Sequence, residues 1–133
     1  MVILFDRFNL PENIFEIIFS TPQQMIVAKE LLKYMAANKT EISKTEMSIF
    51  ATKLHEGSYE SILDDPPFKG KKVKLSYNKR QFYDRILTPM KSMGLIDYDL
   101  YKKTYRISIK FNNDLLKIGL LWKQEARKLG LET

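Results

Sequence analysis

Two stretches in the first half of the chain carry apolar residues at helical spacing, and each has its own end signals. In the first, Thr21 suits the N-terminal cap, Pro22 the first helical position and Gln24 the third residue after the cap. Asn38 suits a left-handed stop near the end of this helix. The predicted buried stripe consists of Met25, Ala28, Leu31, Leu32 and Met35, with Lys29, Glu30 and Lys33 on the outer side.

A second helix follows after only a few residues. Ser43 and Glu46 make a capping box at its start, and Gly57 ends it. Its buried face is predicted to consist of Met47, Phe50, Ala51 and Leu54. Between the two helices, residues 40–42 favour a short strand that adds to a small sheet.

A third helix is predicted from about Asn78 to Met93, where Gly94 stops it. One face carries Phe82, Ile86, Met90 and Met93, and the opposite face carries Tyr77, Gln81, Asp84, Arg85 and Thr88, with Arg80 at its edge. Pro89 falls inside this helix and lacks the amide that would bond the carbonyl of Arg85. A kink or break is therefore expected there.

Apolar and polar residues alternate over 95–110 and on to Phe111, which is typical of a two-stranded hairpin. If Lys102 and Lys103 form its loop, Asp99 lies opposite Arg106 and apolar residues lie opposite one another. Two lysines are a poor choice for a tight hairpin turn, which favours glycine or asparagine. They are therefore expected to serve something outside the fold.

The remaining stretches are less regular. Residues 1–20 form an N-terminal extension in which Val2–Phe8 fits a short strand, and residues 13–19 fit a strand or a helix, with the helix favoured by Pro11 and Glu12. Residues 57–75 are interpreted as a connector with at most one helical turn at Ser61–Asp64, since two prolines and a glycine follow.

The last helix is predicted from Asn113 to about Leu129, with Asn112 or Asn113 as its cap. Its apolar stripe is broader than a helix lying on a small domain needs. Core packing and packing against a second copy both stay open, and the second is favoured. The residues expected at such a dimer interface are Leu115, Ile118, Trp122 and Leu129.

Charge singles out one third of the chain. Residues 69–110 hold twelve basic and three acidic residues, a net charge of +9, whereas residues 1–68 carry −4 and residues 111–133 carry +1. The net charge of the chain is +6. A surplus of this size on a helix and a hairpin indicates a surface that faces phosphates.

The order of helix, short strand, helix, helix and hairpin resembles that of the winged helix-turn-helix family. The segment FYDRILTPMKSMGLIDYD (residues 82–99) is similar to the junction between recognition helix and wing in archaeal and bacterial regulators of this family. The resemblance implies an α+β fold with a three-helix core plus a β-hairpin wing over residues 21–111, followed by a C-terminal helix over residues 112–133. One departure is the connector, because the family joins its second and third helices by a turn of a few residues.

The family analogy implies double-stranded DNA as the partner, with helix 78–93 in the major groove and hairpin 95–110 as the wing. Arg85 would pair with guanine, and Gln81 or Asn78 with adenine. The implied helix contacts are Tyr77, Asn78, Lys79, Arg80, Gln81, Arg85 and Thr88. The implied wing contacts are Lys102, Lys103 and Arg106. The connector offers a further set, for which a solvated loop and a loop that contacts phosphates both stay open: Lys69, Lys71, Lys72 and Lys74.

Two other DNA- or protein-binding roles stay open beside that of a transcription regulator. A winged helix can also act as a protein-interaction module, which the apolar last helix and Asp84 favour. Replication initiators of plasmids and viruses use similar domains.

An enzyme is not expected. His55 is the only histidine, and the acidic residues Glu56, Glu60, Asp64 and Asp65 match no metal-binding or nuclease spacing. The chain has no cysteine, so thiol catalysis and cysteine-ligated metals are excluded. No cofactor, metal or membrane association is expected. The expected state is a single domain in the cytoplasm, with two copies forming a homodimer.

Overall fold

The computed structural model describes residues 7–63 and 70–131, which form an α+β fold with two small antiparallel sheets. A 3₁₀ turn (Arg7–Asn9) precedes the first regular helix. The elements that follow are α1 (Ile14–Ile18), α2 (Pro22–Ala37), β1 (Glu41–Ser43), α3 (Lys44–Glu56), β2 (Tyr59–Leu63), β3 (Lys71–Leu75), α4 (Lys79–Gln81), a π-helical segment (Phe82–Leu87), α5 (Thr88–Ser92), β4 (Ile96–Asp99), β5 (Thr104–Ile107) and α6 (Lys110–Lys128).

The predicted start of α2 and both predicted ends of α3 are confirmed, whereas the predicted left-handed stop at Asn38 is wrong. The Thr21 side chain accepts a hydrogen bond from the Gln24 amide, and Ser43 and Glu46 form the reciprocal capping box. Gly57 ends α3 at a φ of 71°. After α2, however, the left-handed residues are Lys39 and Thr40, whereas Asn38 bonds the Tyr34 carbonyl through its amide. These two left-handed residues change the direction of the chain, so that it enters β1 at Glu41.

Residues 13–19 of the N-terminal extension, which fitted either a strand or a helix, contain the helix α1 (Ile14–Ile18). Asn13 caps α1 by accepting the Phe15 amide at 2.8 Å, so Pro11 and Glu12 lie before the helix and not in its first turn. Of the strand predicted over Val2–Phe8, residues 2–6 lie outside the described residues, and Arg7 and Phe8 belong to the 3₁₀ turn.

The interpretation of residues 57–75 as a connector with one helical turn is wrong. Strands β2 and β3 pair antiparallel over their full lengths, from Tyr59 opposite Leu75 to Leu63 opposite Lys71. Apolar and polar residues alternate only weakly in these strands. The apolar Ile62 lies on the same side of the hairpin as the charged residues Glu60, Lys72 and Lys74. The period-2 signal was therefore masked by an apolar residue on the solvent side.

Residues 79–92 form one continuous stretch of helical backbone, which we call the composite helix. Its middle is π-helical, and the Thr88 amide bonds the carbonyl of Tyr83, five residues back. Pro89 follows at once and leaves the Arg85 carbonyl without its usual amide partner. The expected irregularity is thus present, and it takes the form of a π segment.

The first sheet has the order β1-β5-β4, so the short strand after α2 joins the hairpin as predicted. The predicted hairpin register is wrong by two residues: Asp97 lies opposite Arg106, and Asp99 lies opposite Thr104. A shift of two keeps every side chain on its predicted face. The loop consequently has four residues, 100–103, and not two.

The core lies where α2, α3 and the composite helix meet the two sheets. Phe50 is at its centre, with ring centroids 5.3 Å from Tyr34, 4.9 Å from Tyr59 and 5.6 Å from Phe82. One prediction for this region is wrong. Glu30, expected on the outer side of α2, is buried at 4% exposure, and its Oε2 accepts the Tyr59 hydroxyl at 3.5 Å.

Helix α6 begins earlier than predicted. Strand β5 ends at Ile107, Ser108 accepts the amide of Lys110 through its hydroxyl, and the helix is already under way at Asn112 and Asn113. The asparagines are therefore inside the helix and do not cap it. Of the 19 residues of α6, only Ala126 is buried.

Candidate nucleic-acid interface

The solvent-facing side of the composite helix carries the polar residues that the sequence placed there. Phe82, Ile86 and Met90 are buried on its other side, which leaves exposed Arg80, Gln81, Asp84, Arg85 and Thr88. Arg80 and Asp84 approach to 3.8 Å with side chains 92% and 67% exposed, a pair that contributes little to stability. Arg85 forms no ion pair with any residue that the structure describes, so its guanidinium is available to a ligand.

The start of the composite helix differs from the expectation. Tyr77 is 6% exposed and belongs to the core, so it cannot face DNA as predicted. The Asn78 side chain accepts the Gln81 amide at 3.1 Å and is therefore engaged as a helix cap. His55 accepts the Lys79 amide through Nδ1 at 3.1 Å, a role that the sequence did not indicate.

Lys79 points away from the exposed face. Its Nζ donates to the hydroxyls of Ser48 at 3.3 Å and Thr52 at 3.0 Å, both on α3. The amine is partly buried between the two helices and holds them together. We therefore correct its expected role as a phosphate contact.

The tip of the β4–β5 hairpin presents two exposed lysines, Lys102 and Lys103, whose side chains form no hydrogen bond or ion pair with the described residues. Asp99 holds this loop: its Oδ1 accepts the amides of Tyr101 at 2.9 Å and Lys102 at 3.0 Å. These two backbone hydrogen bonds, Lys102 first, lower the pKa of the Asp99 carboxyl. The sequence reasoning missed this role, although an aspartate two residues before a loop amide is a known turn signal.

Arg106 lies on the middle strand of the first sheet, away from the tip. Glu41 is its neighbour on β1 and Asp97 its neighbour on β4. Asp97 also binds Lys110 at 3.0 Å. The positive charge of Arg106 is thus offset by carboxylates on both sides, which weakens its predicted role as a phosphate contact.

The connector lysines are drawn into the second hairpin. Glu60 of β2 pairs with Lys72 at 3.1 Å and with Lys74 at 3.8 Å, while Lys71 stays exposed. Lys69 lies outside the described residues, as do Asp64 and Asp65 of the acidic cluster. Within the part of the chain that the structure describes, no group of three acidic, histidine or cysteine side chains is placed to hold a metal ion.

All four residues expected at a dimer interface are exposed, three of them within α6 and Leu129 as its C-terminal cap. Leu115, Ile118, Trp122 and Leu129 are 45%, 58%, 63% and 67% exposed, respectively. Leu116, Leu120 and Leu121 add to this apolar surface. Among the described residues, no helix is long and apolar enough to cross a membrane.

Comparison of the chain with protein-family models, with curated proteins and with solved structures finds no match.

Proposed function

We propose that this protein binds double-stranded DNA in the manner of a winged helix-turn-helix regulator. The composite helix enters the major groove, and the β4–β5 hairpin acts as the wing that contacts the phosphate backbone. One observation carries the proposal: the composite helix exposes Gln81, Arg85 and Thr88, and the hairpin that follows it in the chain exposes two lysines from a loop held by Asp99. Helices of this kind fit the major groove, and lysines at a tip provide charge for phosphates.

The junction between α3 and the composite helix supports this reading. Although about twenty residues intervene, the Tyr77 amide bonds the Leu54 carbonyl at 2.9 Å, and His55 bonds the amide of Lys79. The inserted β2–β3 hairpin is therefore looped out, and the ends of the two helices meet as they would across a short turn. The adjacency of the two helix ends, despite the insertion, supports the proposal.

Sequence readout is assigned to two side chains of the exposed face. The Arg85 guanidinium suits the two acceptors of guanine, and the Gln81 amide suits the donor and acceptor of adenine. Selection of bound duplexes from a random-sequence pool tests this assignment. A recovered consensus is expected, and recovery of unenriched sequences would reduce the proposal to non-specific binding.

The wing is tested by the salt dependence of binding to a labelled random-sequence duplex. Replacement of Lys102 and Lys103 with alanine should lower the log–log slope by about 0.9 for each lost phosphate contact. The variant Lys117→Ala/Lys128→Ala removes the same charge from α6 and should leave the slope near that of the wild type. Equal slopes for the wild type and the Lys102/Lys103 variant would remove the wing from the proposal.

The exposed apolar face of α6 favours a second property, which is association with another copy of the chain. Leucine, isoleucine and tryptophan at this exposure form a patch of the kind that marks protein interfaces. The same face would serve the rival role of a protein-interaction module. Absence of DNA binding even at low salt would favour that rival.

A further inference from the structure

The β4–β5 loop exposes two large apolar side chains that the fold does not use. Leu100 is 76% exposed and Tyr101 is 98% exposed. Tight loops usually carry glycine, asparagine, aspartate or serine, because these residues suit turn backbones and water. An aromatic ring fully in solvent at such a position contributes no packing to this chain.

This loop is also rigidly held. Besides the two bonds to the Asp99 carboxylate, the Asp99 carbonyl accepts the Lys103 amide at 2.8 Å. The Lys103 carbonyl in turn accepts the Lys44 amide at 2.9 Å, which ties the loop to the first residue of α3. Tyr101 is thus presented from a fixed backbone, and a ligand that binds its ring pays little for ordering the loop.

A groove of about 350 Å³ lies beside Tyr101 on the solvent-facing side of the first sheet. Its charged lining consists of Glu41, Asp97, Asp99, Lys102, Arg106 and Lys110. Three carboxylates and three cations make the lining formally neutral, so it does not attract a phosphate. It does offer both hydrogen-bond donors and acceptors, which a flat, uncharged ring with polar edges can use.

We propose that the wing tip binds one unpaired nucleobase, stacked on Tyr101 with its polar edge in this groove. A carboxylate oxygen of the groove accepts a hydrogen bond from the amino group of cytosine, adenine or guanine, and Lys103, which lies outside the groove lining, holds a flanking phosphate. Thymine, whose edge offers the single donor N3–H in place of an amino group, binds least well. The inference rests on the proposed function for the location of the DNA, and it adds a preference for duplexes with an unpaired nucleotide.

The test compares an intact labelled duplex with the same duplex carrying one extra cytosine or one extra thymine. The wild type should bind the cytosine bulge roughly tenfold more tightly than the intact duplex, as expected for stacking of one base on an aromatic ring. Tyr101→Ala should lose this preference while its affinity for the intact duplex is unchanged. Tyr101→Phe keeps the ring and should retain the preference.

A second readout reports stacking directly. A bulge of 2-aminopurine, a fluorescent base with an amino group, should be quenched further by the wild type and by Tyr101→Phe but not by Tyr101→Ala. Equal affinity of the wild type for bulged and intact duplexes would overturn the inference. An equal loss of affinity for both duplexes in Tyr101→Ala would also overturn it, since the ring would then contact paired DNA.

A short single-stranded cytosine oligonucleotide separates this inference from the proposed function. Binding of the oligonucleotide that depends on Tyr101, without binding of any duplex, would retain the nucleobase site and reject the duplex-binding proposal. Binding of neither DNA would reject both.

Discussion

At the scale of single residues, the contact between Glu30 and Tyr59 changes the acidity of the Tyr59 hydroxyl. Burial, followed by the nearby Glu30 carboxylate, raises the pKa of Tyr59 from 10.0 to about 12. The phenol that donates to Glu30 therefore stays neutral in the folded chain at pH values where it ionises in the unfolded chain. A buried carboxylate that loses its donor is expected to destabilise a fold by about 1–3 kcal/mol.

This pKa predicts a pH-dependent stability. The contribution of Tyr59 is fully present below pH 10 and is lost as the pH rises from 10 to about 12, because the unfolded chain releases the proton first. The difference in free energy of unfolding between the wild type and Tyr59→Phe should therefore shrink from pH 9 to pH 11.5. Urea denaturation of both proteins at each pH measures it. A constant difference would show that the hydroxyl does not titrate as described.

At the scale of helices and strands, the sequence predicted an element well where the residues that define it lie close together in the chain. The caps at Thr21 and Ser43 and the stop at Gly57 needed no distant residue, and all three were found from the sequence. The β2–β3 hairpin was missed because the evidence for its pairing lies on two strands joined by a segment rich in proline. The hairpin register failed for a related reason, since Asp99 holds a longer loop than charge pairing suggested.

The candidate interface shows the same limit. The exposed face of the composite helix followed from its period, yet Tyr77 and Lys79 lie at the helix start, where packing against α3 decides their direction. Periodicity alone cannot supply that contact. The family analogy implied Arg106 as a wing contact, and only the strand order reveals the two carboxylates beside it.

The capping box of α3 yields a prediction at this scale. Ser43→Ala removes the oxygen that accepts the Glu46 amide at 3.0 Å and should lower the free energy of unfolding by about 1 kcal/mol. Ser92→Ala is a matched control, because Ser92 is exposed and has no side-chain partner among the described residues. Urea denaturation of the two variants should separate them. Equal stabilities would mean that Ser43 does not stabilise the start of α3.

At the scale of the whole molecule, α6 stands out because it is nearly free of packing. Gly119 lies one turn from Leu115 and Trp122, and a Cβ atom placed on it would meet nothing within 4 Å. The fold therefore requires no glycine there, and glycine in a helix costs about 0.5–1 kcal/mol relative to alanine. A glycine at this position would allow a second helix to approach closely, because it has no side chain. In the proposed dimer, that second helix is α6 of the other copy.

The dimer predicts opposite effects for substitutions on the two sides of α6. Ile118→Glu places a charge on the apolar face and should shift sedimentation velocity profiles from dimer to monomer, while the chain stays folded because this side chain is already 58% exposed. Gln124→Glu adds the same charge on the side of the helix opposite Leu115, Ile118 and Trp122 and should leave the dimer intact. Gly119→Ala should weaken dimerisation if the helices cross there, although it would stabilise an isolated helix. A wild-type chain that remains monomeric at high concentration would refute the dimer.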